Sequence, residues 1–187
     1  ALDAGGNVYI TGYFYSTVDF NPGGGALTLT APGGGSDIFI CKLNSSGDFV
    51  WAKNFGDTGW DVGYDIAVDA NGTVFATGRF EGTVDFNTGS GTNNLTAVGV
   101  SDGYLMRLDQ NGDHVWAHGF GSTFSEWGQS IDIDAWNNVY FTGFYLGAVD
   151  FNPGSGTVNL TSNGGEDIFV SKFDANGNFI WAKSMGC

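Results

Sequence analysis

The chain has 187 residues, 42% of them hydrophobic, with 16 Phe, 7 Tyr and 6 Trp; that is more apolar surface than a disordered segment carries and enough for an ordinary core. Six Lys and Arg stand against 20 Asp and Glu, a net charge of −14, so the chain lacks the clustered cations that displace counterions from nucleic acid. The 32 glycines follow no Gly-X-Y period, which excludes collagen, and no run of 18 apolar residues is present to span a membrane.

In chain order, "NVYITGYF" reads as a strand apolar on both sides. A glycine-rich phrase follows, "VDFNPGGGALTLT" from Val18 to Thr30. Then come two more strands, "DIFICKL" and "DFVWAKNF", joined by "NSSG". Next, "GYDIAVD" opens a fresh series: "TVFATGRF", "VDFNTGSGTNNLT", "DGYLMRL", "DHVWAHGF". The series runs a third time as "NVYFTGFY", "VDFNPGSGTVNLT", "DIFVSKF" and "NFIWAKSM". Trp51, Trp116 and Trp181 mark the period, 65 residues each time, and Asp37, Asp102 and Asp167 keep it. The strands are joined by "DAGG", "DANG", "DAWN" and their kin, in which Asp or Asn caps the turn and Gly or Asn takes a positive φ. The first copy lacks the opening strand that the second supplies.

Small sheets that are apolar on both faces need covering on both faces. With no helical periodicity in the chain, the cover is other sheets. The expected fold is therefore all-β, a β-propeller-type array of three four-stranded antiparallel blades. The expected boundaries are about 1–57, 58–122 and 123–187. Rings hold four to eight blades, so three imply a larger protein, association between copies to complete the ring, or an open array of units.

"GYDIAVDANGTVFATGRF" and "SDGYLMRLDQNGDHVWAHGFG" resemble the SBBP family of bacterial β-propeller repeats. The likeness covers all three units. The variant with "VDFNPG" before "SDIF" is similar to repeats of large secreted proteins of Bacteroidetes-like bacteria. The resemblance implies a propeller fold and an extracellular or cell-surface location. It brings no catalytic residues with it.

Several sites follow from the residues. Asp19 and Asn21, Asp85 and Asn87, Asp150 and Asn152 place two oxygen-bearing side chains two residues apart, followed by glycine carbonyls, a set that suits one Ca²⁺ per unit. The competing reading is a connector in which Asp caps a turn. Asp3, Asp69 and Asp134, like Asp37, Asp102 and Asp167, read as caps of backbone N–H groups. Lys42, Arg107 and Lys172 read as charges that protect an outer edge.

Trp51, Trp116 and Trp181 read as packing between sheets. Trp60, Trp127 and Trp136 fall outside the repeat and are the candidates for stacking on a sugar. Asn44, Asn71, Asn94 and Asn159 are glycosylation sequons. His114 and His118 have no third ligand for zinc. No asymmetric acid–base cluster or nucleophile motif appears, so no enzyme is expected and no cofactor beyond calcium. The expected function is a noncatalytic extracellular structural or adhesive repeat module of a secreted or surface protein or filament. Its partners would be copies of itself or further repeats. The alternative is a glycan-binding, lectin-like module.

Overall fold

A computed structural model describes residues 1–186. These residues form 17 strands and no helix. The first unit holds β1 (Val8–Phe14), β2 (Thr17–Asp19), β3 (Thr28–Thr30), β4 (Asp37–Leu43) and β5 (Phe49–Phe55). The second holds β6 (Val62–Val68), β7 (Val74–Phe80), β8 (Thr83–Asp85), β9 (Asn94–Thr96), β10 (Asp102–Leu108) and β11 (His114–Phe120). The third holds β12 (Trp127–Ile133), β13 (Val139–Tyr145), β14 (Ala148–Asp150), β15 (Asn159–Thr161), β16 (Asp167–Phe173) and β17 (Phe179–Met185).

All the sheets are antiparallel. The second and third units each form a four-stranded sheet, β6-β7-β10-β11 and β12-β13-β16-β17. The expectation of three four-stranded sheets needs correcting at the first unit, which has three strands in the order β1-β4-β5. Leu2 makes only an isolated bridge to Val8 where the other units carry a full inner strand. The glycine-rich phrase is also more regular than a loop. Each copy folds back as a short hairpin, β2 on β3, β8 on β9 and β14 on β15.

The three sheets are layered. β6 packs against β1, and β12 packs against β6 and β7. The middle sheet is buried on both faces: Val74, Phe75, Ala76 and Thr77 of β7 are all without exposed surface. On one side Val74, Ala76, Tyr104 and Met106 meet Tyr9, Ile38, Ile40 and Phe55 of the first unit. On the other, Phe75 and Leu105 meet Phe141, Phe169 and Phe173 of the third. Burying one such side chain contributes about 1.5–3 kcal/mol, so the two junctions dominate the stability. Backbone bonds sew the layers as well. Ser36 N–H donates to the Gly59 carbonyl and Asp61 N–H to the Ser36 carbonyl; Val100 and Ser101 bond to Phe124 and Glu126 in the same way.

Candidate functional site

The calcium candidates lie in the hairpins. Asp85 Oδ1 accepts the N–H groups of Asn87 (2.9 Å) and Asn93 (2.8 Å), and Asn87 Oδ1 accepts that of Gly89. Asp19 and Asp150 repeat this with Asn21 and Leu27, and with Asn152 and Val158. The oxygens that would face a cation thus close the turn, which favours the connector reading. Among the described residues no three His, Cys, Asp or Glu side chains converge in a way that would hold a metal. Replacing Asp85 with Ala strands two N–H groups and is expected to cost about 1–3 kcal/mol. The measurement is a thermal melt in EDTA and in calcium. Equal losses in both confirm the cap; a calcium-dependent gain confined to the native chain restores the metal.

The other repeated aspartates also cap, except Asp37, which accepts from the side-chain amide of Asn54 and from no backbone N–H. Asp69 Oδ1 accepts from Asn71 and Thr73 at 2.8 Å, and Asp134 Oδ1 accepts from Trp136 and Asn138 at 2.9 Å. Asp102 accepts from Val98 and Asp167 from Asn163. Two buried acids in register went unrecognised in the sequence, Asp61 and Glu126. Asp61 accepts the N–H groups of Asp57 and Glu81; Glu126 accepts from Ser122 and Leu146. Burial, added to by the charges of Asp57 and Asp37, pushes Asp61 up to about 7. Burial likewise pushes Asp102 up to about 6, with the charge of Glu126 adding to it. The available signal was their common 65-residue spacing just ahead of an inner strand, hidden because one is Asp and the other Glu.

The repeated basic residues do not guard an outer edge. They reach across a junction or lie on an aromatic ring. Lys42 lies over the Tyr9 ring and donates to the Gln110 carbonyl of the next unit. Arg107 lies over Phe75 and donates to the Ala175 carbonyl at 2.8 Å. Lys172 covers Tyr140. The repeated tryptophans end on the same turns: Trp51 Nε1 donates to Gln110 and Trp116 Nε1 to Ala175. Beneath each indole sits a turn glycine, Gly112 (φ 79°) or Gly177 (φ 81°), where a Cβ would lie 3.0 Å or less from the ring. These tryptophans are therefore struts between units. The histidines serve separate contacts, His114 with Asn93 and His118 with the Gly177 carbonyl. The strand pairing places His114 at the position of Phe49 and Phe179 in the other units.

The unrepeated tryptophans separate. Trp127 opens β12; Arg79 lies over its ring and its indole N–H donates to Ser101. Trp60 is half exposed against Tyr15. Trp136 is 80% exposed on the turn beside an open cleft of about 370 Å³ lined by Asp69, Asn71, Asp134 and Asn137. The amides of Asn71, Asn94 and Asn159 lie on exposed residues, whereas Asn44 is tied to Asp48.

No family model matches the chain. It is 29% identical over 211 positions to an uncharacterized WD repeat-containing protein of Acanthamoeba polyphaga mimivirus, an alignment covering 98% of this chain and 15% of that one. It is 26% identical over 145 positions to the regulatory protein FlaEY of Caulobacter vibrioides, covering 78% of this chain and 15% of that one. The chain thus spans about 15% of the length of the curated relatives it matches.

Proposed function

We propose that the chain is a noncatalytic structural or adhesive module, a β-propeller-type run of blades in a secreted or cell-surface protein or filament. One observation carries this reading: the two outer sheets each leave open the face that the middle sheet buries. On the first unit an apolar groove of about 320 Å³ is lined by Ile10, Phe20, Phe39, Cys41 and Leu43. Their counterparts Ala76, Phe86, Tyr104, Met106 and Leu108 are fully buried against the neighbouring unit. On the third unit Val170 lines an open groove and Ile168 is exposed, where the corresponding Ile40 and Ile38 are buried. The free faces are thus the two halves of a junction that the chain already makes twice, so a neighbouring unit or copy fits each end. A relative named for WD repeats supports the propeller arrangement. The acidic surface supports solubility in such an assembly.

Sedimentation velocity over a range of concentrations tests the proposal. Concentration-dependent association is expected, with Val170→Asp and Ile10→Asp each returning the chain to monomer. A compact monomer at every concentration would overturn it. The exposure of Trp136 beside its polar cleft favours a second reading, glycan binding. Glycan-array binding that Trp136→Ala abolishes, with the fold intact, would replace the scaffold by a lectin-like module.

A further inference from the structure

The turn that leads into the second strand of each unit carries Gly5, Asn71 or Trp136 at one repeat position, two residues after the capping aspartate. All three are exposed. Asn71 is exposed although a unit packs on each side of its own, so the repeat itself turns this position outward. At 80% exposure Trp136 is the most exposed large hydrophobic side chain among the described residues. Folding does not call for an aromatic there. The N–H groups of Gly5, Asn71 and Trp136 all donate to the aspartate of their own turn, and the turn closes equally well with glycine or asparagine. An indole left in water at such a position is apolar surface that packing does not explain.

The cleft beside Trp136 lies between the turns of the second and third units. Its volume of about 370 Å³ falls at the low end for small-ligand sites, roughly 300–1,000 Å³, with room for about one or two sugar rings. Val68 and Ile133 give it an apolar side, and Asp69, Asn71, Asp134 and Asn137 a polar one. Both carboxylates are already engaged. Asp69 Oδ2 accepts the Asn137 amide at 2.8 Å; Asp134 Oδ2 accepts that of Asn138 at 2.7 Å and lies 3.9 Å from Lys172 Nζ. Their other oxygens cap the turns. Both acids stay ionised. The Asn138 amide holds Asp134 low; at Asp69 burial pushes upward, but the Thr73 N–H and the Asn137 amide outweigh it. The groups left without partners are uncharged: the Asn71 side-chain amide, Asn137 Oδ1 and the Trp136 indole N–H.

We infer that this cleft takes a neutral sugar, with Trp136 stacked on the C–H face of a pyranose ring and the Asn71 and Asn137 side chains hydrogen-bonded to its hydroxyls. This rests on the glycan-binding reading of Trp136 and narrows the ligand to one class. An indole offers the flat apolar face that a pyranose presents, and side-chain amides both donate and accept, as hydroxyls do. Two ionised carboxylates at the cleft repel uronic and sialic acids. An amino sugar or other ammonium ligand gains little, because neither carboxylate is uncommitted and Lys172 already stands beside Asp134. Each chain carries one such site: at the first junction the same positions hold Gly5 and Asn71, with no ring to stack on.

The test is titration calorimetry of the full chain against disaccharides of three charge classes. The neutral set covers glucose, galactose, mannose and N-acetylglucosamine; the cationic probe is de-N-acetylated chitobiose, and the anionic one digalacturonic acid. Saturable binding of a neutral member is expected, at one site per chain and tighter than either charged probe. Trp136→Ala is expected to weaken it at least ~10-fold, and Trp136→Tyr to restore most of the loss. Asn71→Ala is expected to weaken it about 5-fold. Neither side chain holds the fold, so melting temperature and circular dichroism should not change. A charged probe that binds more tightly, and loses its binding with Trp136→Ala, would overturn the neutral class and leave the glycan reading standing. Neutral binding that Trp136→Ala does not weaken would place the sugar elsewhere and overturn this site. No saturable binding of any probe would overturn the site and the glycan reading together.

Discussion

Replacing Gly78 with alanine is expected to cost the chain on the order of 4 kcal/mol and to lower its melting temperature by about 10 °C. The added Cβ would meet a backbone carbonyl, Val62 C=O at 2.0 Å, which no rotamer change can move aside. Relief requires β6 to pull away from β7. β6 packs on β1 and on β12, so both junctions loosen together. Gly12→Ala is the internal control. Its Cβ meets only the end of the Phe39 ring, a side chain that can shift, and the expected loss is about 1 kcal/mol. Thermal melts of the two variants followed by circular dichroism check the ratio. Similar losses at Gly12 and Gly78 would mean that the inner-strand carbonyl is not what glycine serves in this position.

The apolar strands, the turns and the 65-residue period were all legible, because strand alternation and Asp-x-x-Gly turns are local chemistry. The capping roles of Asp69 and Asp134 were legible for the same reason: their partners lie within four residues. What the residues concealed lies between units. Arg107 and Trp116 read as a surface charge and a core filler, yet both end on the Ala175 carbonyl, 68 and 59 residues away. The hairpin β8-β9 was hidden because its strands are three residues each and rich in Asn and Thr. Asp61 reads as one more soluble acid in an acidic chain. Only the layering of the first unit on the second removes it from water, a non-local event that no window of sequence records.

Asp61 also gives the chain an unusual dependence on pH. A carboxyl raised to about 7 holds its proton in the folded state across a range where the unfolded chain, near 3.8, has released it. The folded state therefore binds more protons between those values, and stability falls as pH rises from about 4 through about 7. Asp102, raised to about 6, adds to the same slope. The groups that face Asp61 act together: the charges of Asp57 and Asp37 raise it, the N–H groups of Glu81 and Asp57 oppose them, and the Tyr104 phenol, raised by burial, is raised further by the charge of Asp61.

Two sets of residues work against this slope. Burial lowers His114 and His118, so the unfolded chain gains protons first as pH drops below about 6.5, and stability is lost there. Hydrogen bonds from Asn7 to Asp3, from Asn138 to Asp134, and from the Asn21 and Leu27 N–H groups to Asp19 hold those carboxyls low. Their contribution is lost only as pH falls below the ordinary carboxylate value. Asp61→Asn isolates the buried acid from both. The native chain is expected to lose about 5 °C or more relative to the variant between pH 5 and pH 8. The variant should melt lower at pH 5, where it gives up one of the two N–H acceptors, and close the gap or overtake at pH 8. Parallel melting curves for the two chains across this range would show that Asp61 stays ionised in the fold, and that the first junction tolerates its charge.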